Sequence, residues 1–196
     1  MTFDIDFLLQ IAGLALGLLY LWWEYHANSR MWIVGAVMPM VSMWLYFRKG
    51  LYADFAINIY YLIMALYGYI AWTFGFARKN KPPLPVRHAR PAVAIASIGA
   101  LLAVWALLYA WLEYLTDSNV PVADAFTTAG SIVGTWMLAR KYIEQWFYWI
   151  AVDIVCVGLY VYKQIPFYAA LYAVYVVVAV FGYFKWIKLA RENRPA

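Results

Sequence analysis

The sequence predicts an all-α integral membrane protein with seven transmembrane helices. Hydrophobic residues make up 67% of its 196 residues and charged residues only 13%, whereas about a quarter of the residues of a soluble domain are charged. A soluble fold of this size has too few charges to cover so much apolar surface. Besides this composition, a series of seven apolar segments along the chain predicts the same fold class. We therefore expect residues 1–196 to form a single domain embedded in a lipid bilayer.

The apolar segments have the length of membrane-spanning helices. A bilayer core about 30 Å thick is crossed by roughly 20 helical residues. Strands of a β-barrel would be shorter and would alternate polar with apolar residues, and these segments do not alternate. Arg140 and Lys141 interrupt the apolar sequence only briefly. The boundary between the fifth and sixth spans is therefore the least defined. The predicted spans are residues 7–25, 31–47, 53–76, 93–115, 122–139, 142–162 and 166–187.

The basic residues between the spans predict the orientation of the chain. With the N-terminus outside, the inside loops and the C-terminal segment carry twelve Lys and Arg residues, and the outside loops carry three. Cytoplasmic loops of membrane proteins are enriched in these residues. We therefore expect the N-terminus outside and the C-terminus inside. The net charge of +5 thus reflects membrane topology, and no nucleic acid partner is expected.

An internal repeat relates spans 1–3 (repeat A) to spans 5–7 (repeat B), with span 4 as a linker. Gly68-Tyr69-x-x-Trp72 is matched 114 residues later by Gly182-Tyr183-x-x-Trp186. Ala12-Gly13-x-x-x-Gly17 is matched 117 residues later by Ala129-Gly130-x-x-x-Gly134, which also pairs Leu21 with Leu138. Because one helix separates the triplets, both cross the membrane in the same direction. This predicts a 3+1+3 parallel repeat, as in SWEET-type transporters, with a solute path between the triplets.

Polar side chains at membrane depth are candidates for function, because each costs a few kcal/mol to insert. Glu24 lies near the end of the first span. Two other spans carry such residues on one helical face. These are Asp54, Asn58 and Tyr61 on the third span, and Gln145, Trp146, Trp149 and Asp153 on the sixth. We expect the three groups to line one cavity.

The chemistry of this cavity suits a planar, cationic ring. Indole faces attract cations, buried carboxylates add complementary charge, and amides discriminate by hydrogen bonding. Three alternatives stay open. Asp54 could serve only the first turn of its helix, Glu24 could reach the lipid interface, and Asp153 could make a structural hydrogen bond.

The sequence offers little for other functional classes. His26 and His88 lie in loops, and Cys156 is the single cysteine, so neither a metal site nor a catalytic pair is predicted. No cofactor is expected either, and nothing suggests active coupling, since the chain has no phosphate-binding glycine loop with lysine. An intramembrane enzyme and a helical scaffold without transport activity are the rival interpretations.

Three stretches resemble the PnuC family of vitamin transporters: Gly50-Leu51-Tyr52-Ala53-Asp54, Tyr67-Gly68, and residues 140–149, which hold the WxxW element Trp146-x-x-Trp149. The resemblance implies facilitated diffusion of a vitamin across the cytoplasmic (inner) membrane. It also implies a functional link to a cytoplasmic kinase that traps the vitamin by phosphorylation. The oligomeric state stays open, a homo-oligomer included.

The resemblance also implies roles for individual residues and a choice of vitamin. Trp146 and Trp149 would stack on the ring, and Asn58 and Asp153 would supply polar contacts. Nicotinamide riboside members carry an Asn after a glycine of the second span, where this chain has Gly35-Ala36-Val37-Met38-Pro39. This departure favours thiamine as the substrate, with nicotinamide riboside as the alternative.

Overall fold

The computed structural model describes residues 5–48, 52–75 and 84–192, and these residues form seven α-helices. The helices are α1 (Ile5–Tyr25), α2 (Met31–Arg48), α3 (Tyr52–Phe74), α4 (Pro91–Leu115), α5 (Pro121–Ala139), α6 (Gln145–Tyr162) and α7 (Pro166–Glu192). The all-helical prediction is therefore confirmed.

Four segments of the described chain are long and apolar enough to cross a membrane: Phe55–Phe74, Pro91–Leu115, Gln145–Tyr162 and Pro166–Glu192. A shorter apolar helical segment covers Met31–Trp44. Pro91 and Pro121 stand at the first turns of α4 and α5, where the missing N–H of proline costs no helical hydrogen bond.

The chain divides into two compact units, Met1–Leu84 and Pro85–Ala196. The first unit holds α1 to α3, and the second holds α4 to α7. In the first, α2 packs against α1 and α3; in the second, each helix packs against the next along the chain. The parallel 3+1+3 arrangement and the single membrane domain stay predictions.

The same tryptophan contact is present in both units. In the first, the buried Trp32 of α2 lies on Gly68 of α3 and meets Trp72 edge-to-face, with ring centroids 5.6 Å apart. In the second, Trp146 of α6 lies on Gly182 and meets Trp186 in the same way at 5.6 Å. Each residue of the second set follows its counterpart by 114 residues. Glycine allows this contact because a Cβ would collide with the indole.

The ends of α1 and α5 correct the spacing of 117 residues that was predicted between the first helices of the two repeats. Each of these helices is followed, two residues after its end, by a residue in the left-handed conformation. This residue is Ala27 (φ 52°) after α1 and Lys141 (φ 55°) after α5. These residues are also 114 positions apart, so Glu24, rather than Leu21, corresponds to Leu138. The offset of 117 is therefore wrong here by three residues. It arose because glycine and alanine recur at nearly one-turn intervals on both helices.

Candidate functional site

The polar face of α6 is buried. Gln145, Trp149 and Asp153 follow one another at intervals of four residues and so share one face of the helix. Gln145 is 0% exposed and Asp153 6%. Both amide atoms of Gln145 and the indole Nε1 of Trp149 are buried without a hydrogen-bond partner among the residues the structure describes. Unsatisfied buried polar atoms cost about 1–3 kcal/mol each, so these groups are available to a polar ligand.

The neighbouring helices give this face its shape. Gly134 of α5 lies against the start of this face: a Cβ there would be 3.2 Å from Tyr148 Cβ and in ordinary van der Waals contact, at 3.6 Å, with the Trp149 indole. On α7, Tyr172 and Tyr175 lie within electrostatic reach of Asp153. The ring of Tyr172 also stacks on Tyr160 of α6, with centroids 5.2 Å apart. The face therefore combines an amide, an indole and a carboxylate with the aromatic side chains of α7.

Trp146 has different surroundings from Trp149, although both belong to the predicted WxxW element. Trp146 is 1% exposed and is held between Gly182 and Trp186 of α7. Trp149 is only half-buried. The two indoles therefore differ in how much of their surface a solute can reach.

The first unit contains a second group of the predicted residues. Glu24, in the last turns of α1, is 2% exposed, so its side chain lies inside the protein rather than at the lipid interface. Asn58 and Tyr61 are half-buried on one face of α3. Tyr61 and Glu24 both lie within electrostatic reach of Tyr20. The side chain of Asp54, also predicted here, lies outside the described residues.

Tyr20 is a residue of this group that the sequence interpretation missed. It precedes Glu24 by four residues and therefore lies on the same face of α1. A Cβ at Gly35 of α2 would lie 3.0 Å from its Cε2, so the phenol ring rests on that glycine. The available signal was the four-residue spacing to a carboxylate on an otherwise apolar helix.

The segment before α4 is bound to the connection between α5 and α6. Arg87 N–H donates to the Lys141 carbonyl at 3.0 Å, and Ile143 N–H donates to the Arg87 carbonyl at 3.0 Å. Glu144 contacts His88 Nδ1 at 2.8 Å and accepts a hydrogen bond from Ala89 N–H at 2.8 Å. This contact fixes the start of α6, and with it the position of Gln145.

Lys141 is a buried residue of this connection. Burial lowers the pKa of its ammonium group from the ordinary 10.5 to about 8, because the charged form loses hydration. Its backbone also adopts a left-handed conformation, which costs energy for a residue with a side chain. Metal binding has no comparable support: in the part of the chain that the structure describes, no three His, Cys, Asp or Glu side chains form a metal-binding group.

Apolar helices of membrane-spanning length and a buried polar face define this chain as a multi-pass membrane protein. Residues 7–188 match the family described as nicotinamide mononucleotide transporter. The chain belongs to that family, which confirms the predicted resemblance to PnuC-type vitamin transporters.

The proteins similar to the chain include the following relatives and solved structure. The nicotinamide riboside transporter PnuC of Escherichia coli (strain K12) is 23% identical over 172 residues, covering 76% of this chain and 72% of that protein. The riboflavin/roseoflavin transporter RibM of Streptomyces davaonensis is 31% identical over 140 residues, covering 68% and 64%. The crystal structure of the vitamin B3 transporter PnuC matches with a TM-score of 0.67 at 21% identity, covering 91% of this chain and 80% of that chain. This last match shows a shared fold.

Proposed function

We propose that this protein mediates facilitated diffusion of a vitamin with a planar ring across the cytoplasmic membrane. Its relatives include transporters of nicotinamide riboside and of riboflavin, and both of these solutes contain a flat heterocycle. The transported solute is the ligand that we assign to the buried polar face of α6.

The buried polar face of α6, on which Gln145 and Trp149 lack hydrogen-bond partners among the described residues, is the observation that carries this proposal. Trp149 offers an indole to the ring, Gln145 offers both a donor and an acceptor, and Asp153 offers a negative charge. Trp146, also predicted to stack on the ring, packs on Gly182, and we assign the larger stacking surface to Trp149. Glu24, Asn58, Tyr61 and Asp54 stay proposed as further polar contacts of the solute.

Among the candidate vitamins, we now place nicotinamide riboside before thiamine. The relatives named above transport nicotinamide riboside and riboflavin, so they do not support the thiamine preference drawn from the second span. The carboxamide of nicotinamide has one donor and one acceptor group, which the Gln145 amide complements. Nicotinamide riboside and thiamine both carry a cationic ring that Trp149 and Asp153 would favour, whereas the flavin ring is neutral.

We further propose that the parallel 3+1+3 arrangement and the N-out, C-in orientation hold for this chain. Transport would then proceed by alternating access, and a cytoplasmic kinase would retain the vitamin as its phosphate. A homo-oligomer is compatible with this mechanism and is not required by it.

Uptake of labelled vitamin into cells that lack the cognate kinase tests the proposal. We expect the vitamin to equilibrate across the membrane at the same rate with and without a protonophore. Accumulation above the external concentration that collapses with the protonophore would instead indicate proton coupling. If none of the three vitamins enters faster than in cells without the protein, the scaffold interpretation gains support.

A further inference from the structure

A groove in the second unit runs between α4, α5 and α6. Its volume is about 260 Å³, which is below the range of about 300–1,000 Å³ that is typical of small-molecule pockets. Its lining is apolar apart from Ser97, Glu144 and Tyr148. Ile98 and Phe147, which also line it, are 54% and 51% exposed. The groove is therefore open at the surface of helices that have the length of membrane spans.

The polar groups of the groove are already paired within the protein. The Tyr148 hydroxyl donates to Ser97 Oγ at 2.8 Å, and the Ser97 hydroxyl donates to a carbonyl of its own helix at 2.8 Å. Glu144 uses one carboxylate oxygen on His88 Nδ1 and the other on Ala89 N–H. A vitamin ring placed here would leave its own polar groups without partners, which is costly. The groove thus suits a hydrocarbon chain.

One end of the groove carries exposed positive charge. Glu144 lies at this end, and Ala89, which donates to it, is flanked in the chain by His88 and Arg90 and follows Arg87 by two residues. Both arginines are exposed. The Arg87 guanidinium lies over the Tyr142 ring, 5.1 Å from its centroid, and this contact holds it in place. In the proposed orientation this end faces the cytoplasm, where the membrane surface is negatively charged.

We propose that the groove binds an anionic phospholipid, with an acyl chain between α4 and α6 and the headgroup phosphate on Arg87 and Arg90. Guanidinium groups bind phosphate oxygens in a bidentate manner, and basic pockets between membrane helices on the cytoplasmic side are typical sites of anionic headgroups. The lipid would fill the space that the side chains of the three helices leave open.

This site is separate from the proposed vitamin site. The groove is lined on α6 by residues 144, 147, 148, 151 and 152, whereas the polar face of that helix consists of Gln145, Trp149 and Asp153. Lipid binding therefore stands or falls independently of the transported solute.

Binding of phosphatidylglycerol and of phosphatidylcholine with the same acyl chains tests the headgroup contact. Native mass spectrometry of the purified full-length protein in detergent gives both Kd values. We expect phosphatidylglycerol to bind at least about fivefold more tightly. The double variant Arg87→Gln/Arg90→Gln should lose this preference. Arg191→Gln, which removes an exposed charge at the end of α7, is the matched control and should keep it.

Filling the groove tests the acyl-chain contact. Ala94→Phe places a ring in the groove and should raise the Kd of both lipids about tenfold, because fewer methylene groups are then buried. Ala100→Phe makes the same change on α4 at a residue outside the lining and should leave both Kd values unchanged. If Ala94→Phe fails to fold, Ile98→Trp at the exposed rim takes its place.

Three results would overturn the proposal. The first is equal affinity of the unmodified protein for the two lipids. The second is an unchanged preference after both arginines are replaced. The third is an Ala94→Phe variant that binds lipid normally but changes the oligomeric state, since the groove would then be a contact between copies of this chain.

Discussion

The indole ring of Trp146 lies directly on Gly182, where an added Cβ would be only 2.6 Å from Cη2 and Cζ2. Trp186 closes the other side of the contact with its ring plane at 87° to that of Trp146. This packing joins α6 to α7 and sets the rotation of α6. It therefore determines which way Gln145, Trp149 and Asp153 point.

Substituting Gly182 by alanine should destabilise the protein. The new methyl group collides with an indole that is itself enclosed, and overpacking of this kind costs about 1–3 kcal/mol. We expect Gly182→Ala and its counterpart Gly68→Ala to lower the thermal unfolding temperature in detergent.

Gly99 and Gly158 provide the control for that prediction. Both lie within helices and have no atom within 4 Å of an added Cβ, so alanine there should leave the unfolding temperature unchanged or raise it slightly. Equal effects at all four glycines would show that the tryptophan contacts are not what constrains Gly68 and Gly182.

The two tryptophans of α6 should respond differently to replacement by leucine. Trp149→Leu should weaken binding of a cationic vitamin about tenfold, with little change in unfolding temperature because the side chain is half-buried. Trp146→Leu should lower the unfolding temperature instead, because it empties a fully packed site. Parallel measurement of Kd and unfolding temperature distinguishes these outcomes, and a reversed pattern would exchange the two roles.

Asp153→Asn should reduce binding in a manner that depends on substrate charge. The substitution keeps the size of the side chain and removes its negative charge. We expect the Kd to rise for nicotinamide riboside and thiamine, and to change much less for riboflavin, whose ring is neutral. A titration of each vitamin checks this, and an equal effect on all three would indicate a structural role for Asp153.

Stability should increase with pH because of Lys141. Burial lowers the pKa of its ammonium group in the folded protein to about 8, so between about pH 8 and 10.5 the unfolded chain binds more protons. Stability rises with pH wherever this holds. The destabilisation due to the buried charge is therefore fully present below pH 8 and is relieved above it.

Lys141→Asn checks this pH dependence, because asparagine does not titrate and tolerates a left-handed backbone. Between pH 7 and 9.5, the unfolding temperature of the variant should rise less than that of the unmodified protein. Parallel curves for the two proteins would show that Lys141 does not contribute to the pH dependence.

Composition and segment length were sufficient to predict the helical class, because the bilayer dictates both. Helix ends were harder to predict, since they depend on local contacts. The sixth span was expected from residue 142, but α6 begins at Gln145, because residues 140–144 form a turn that is bound to Arg87 and Ala89. No periodicity in the sequence signals hydrogen bonds between segments more than 50 residues apart.

The site was predictable in part, for a related reason. Polar residues stand out in apolar helices, so Glu24, Gln145 and Asp153 were predicted from the sequence, and the structure buries all three. Tyr20 was missed because tyrosine is common in this chain and its packing depends on Gly35, which faces it on another helix. The burial of Trp146 likewise follows from its contact with Gly182, which the WxxW spacing does not contain.

Calorimetric titration of the purified protein with nicotinamide riboside, thiamine and riboflavin tests the central claim most directly. We predict saturable binding of at least one of them, tightest for nicotinamide riboside and weakened by Trp149→Leu. An absence of binding by all three to folded protein would contradict the assignment of the α6 face as a vitamin site.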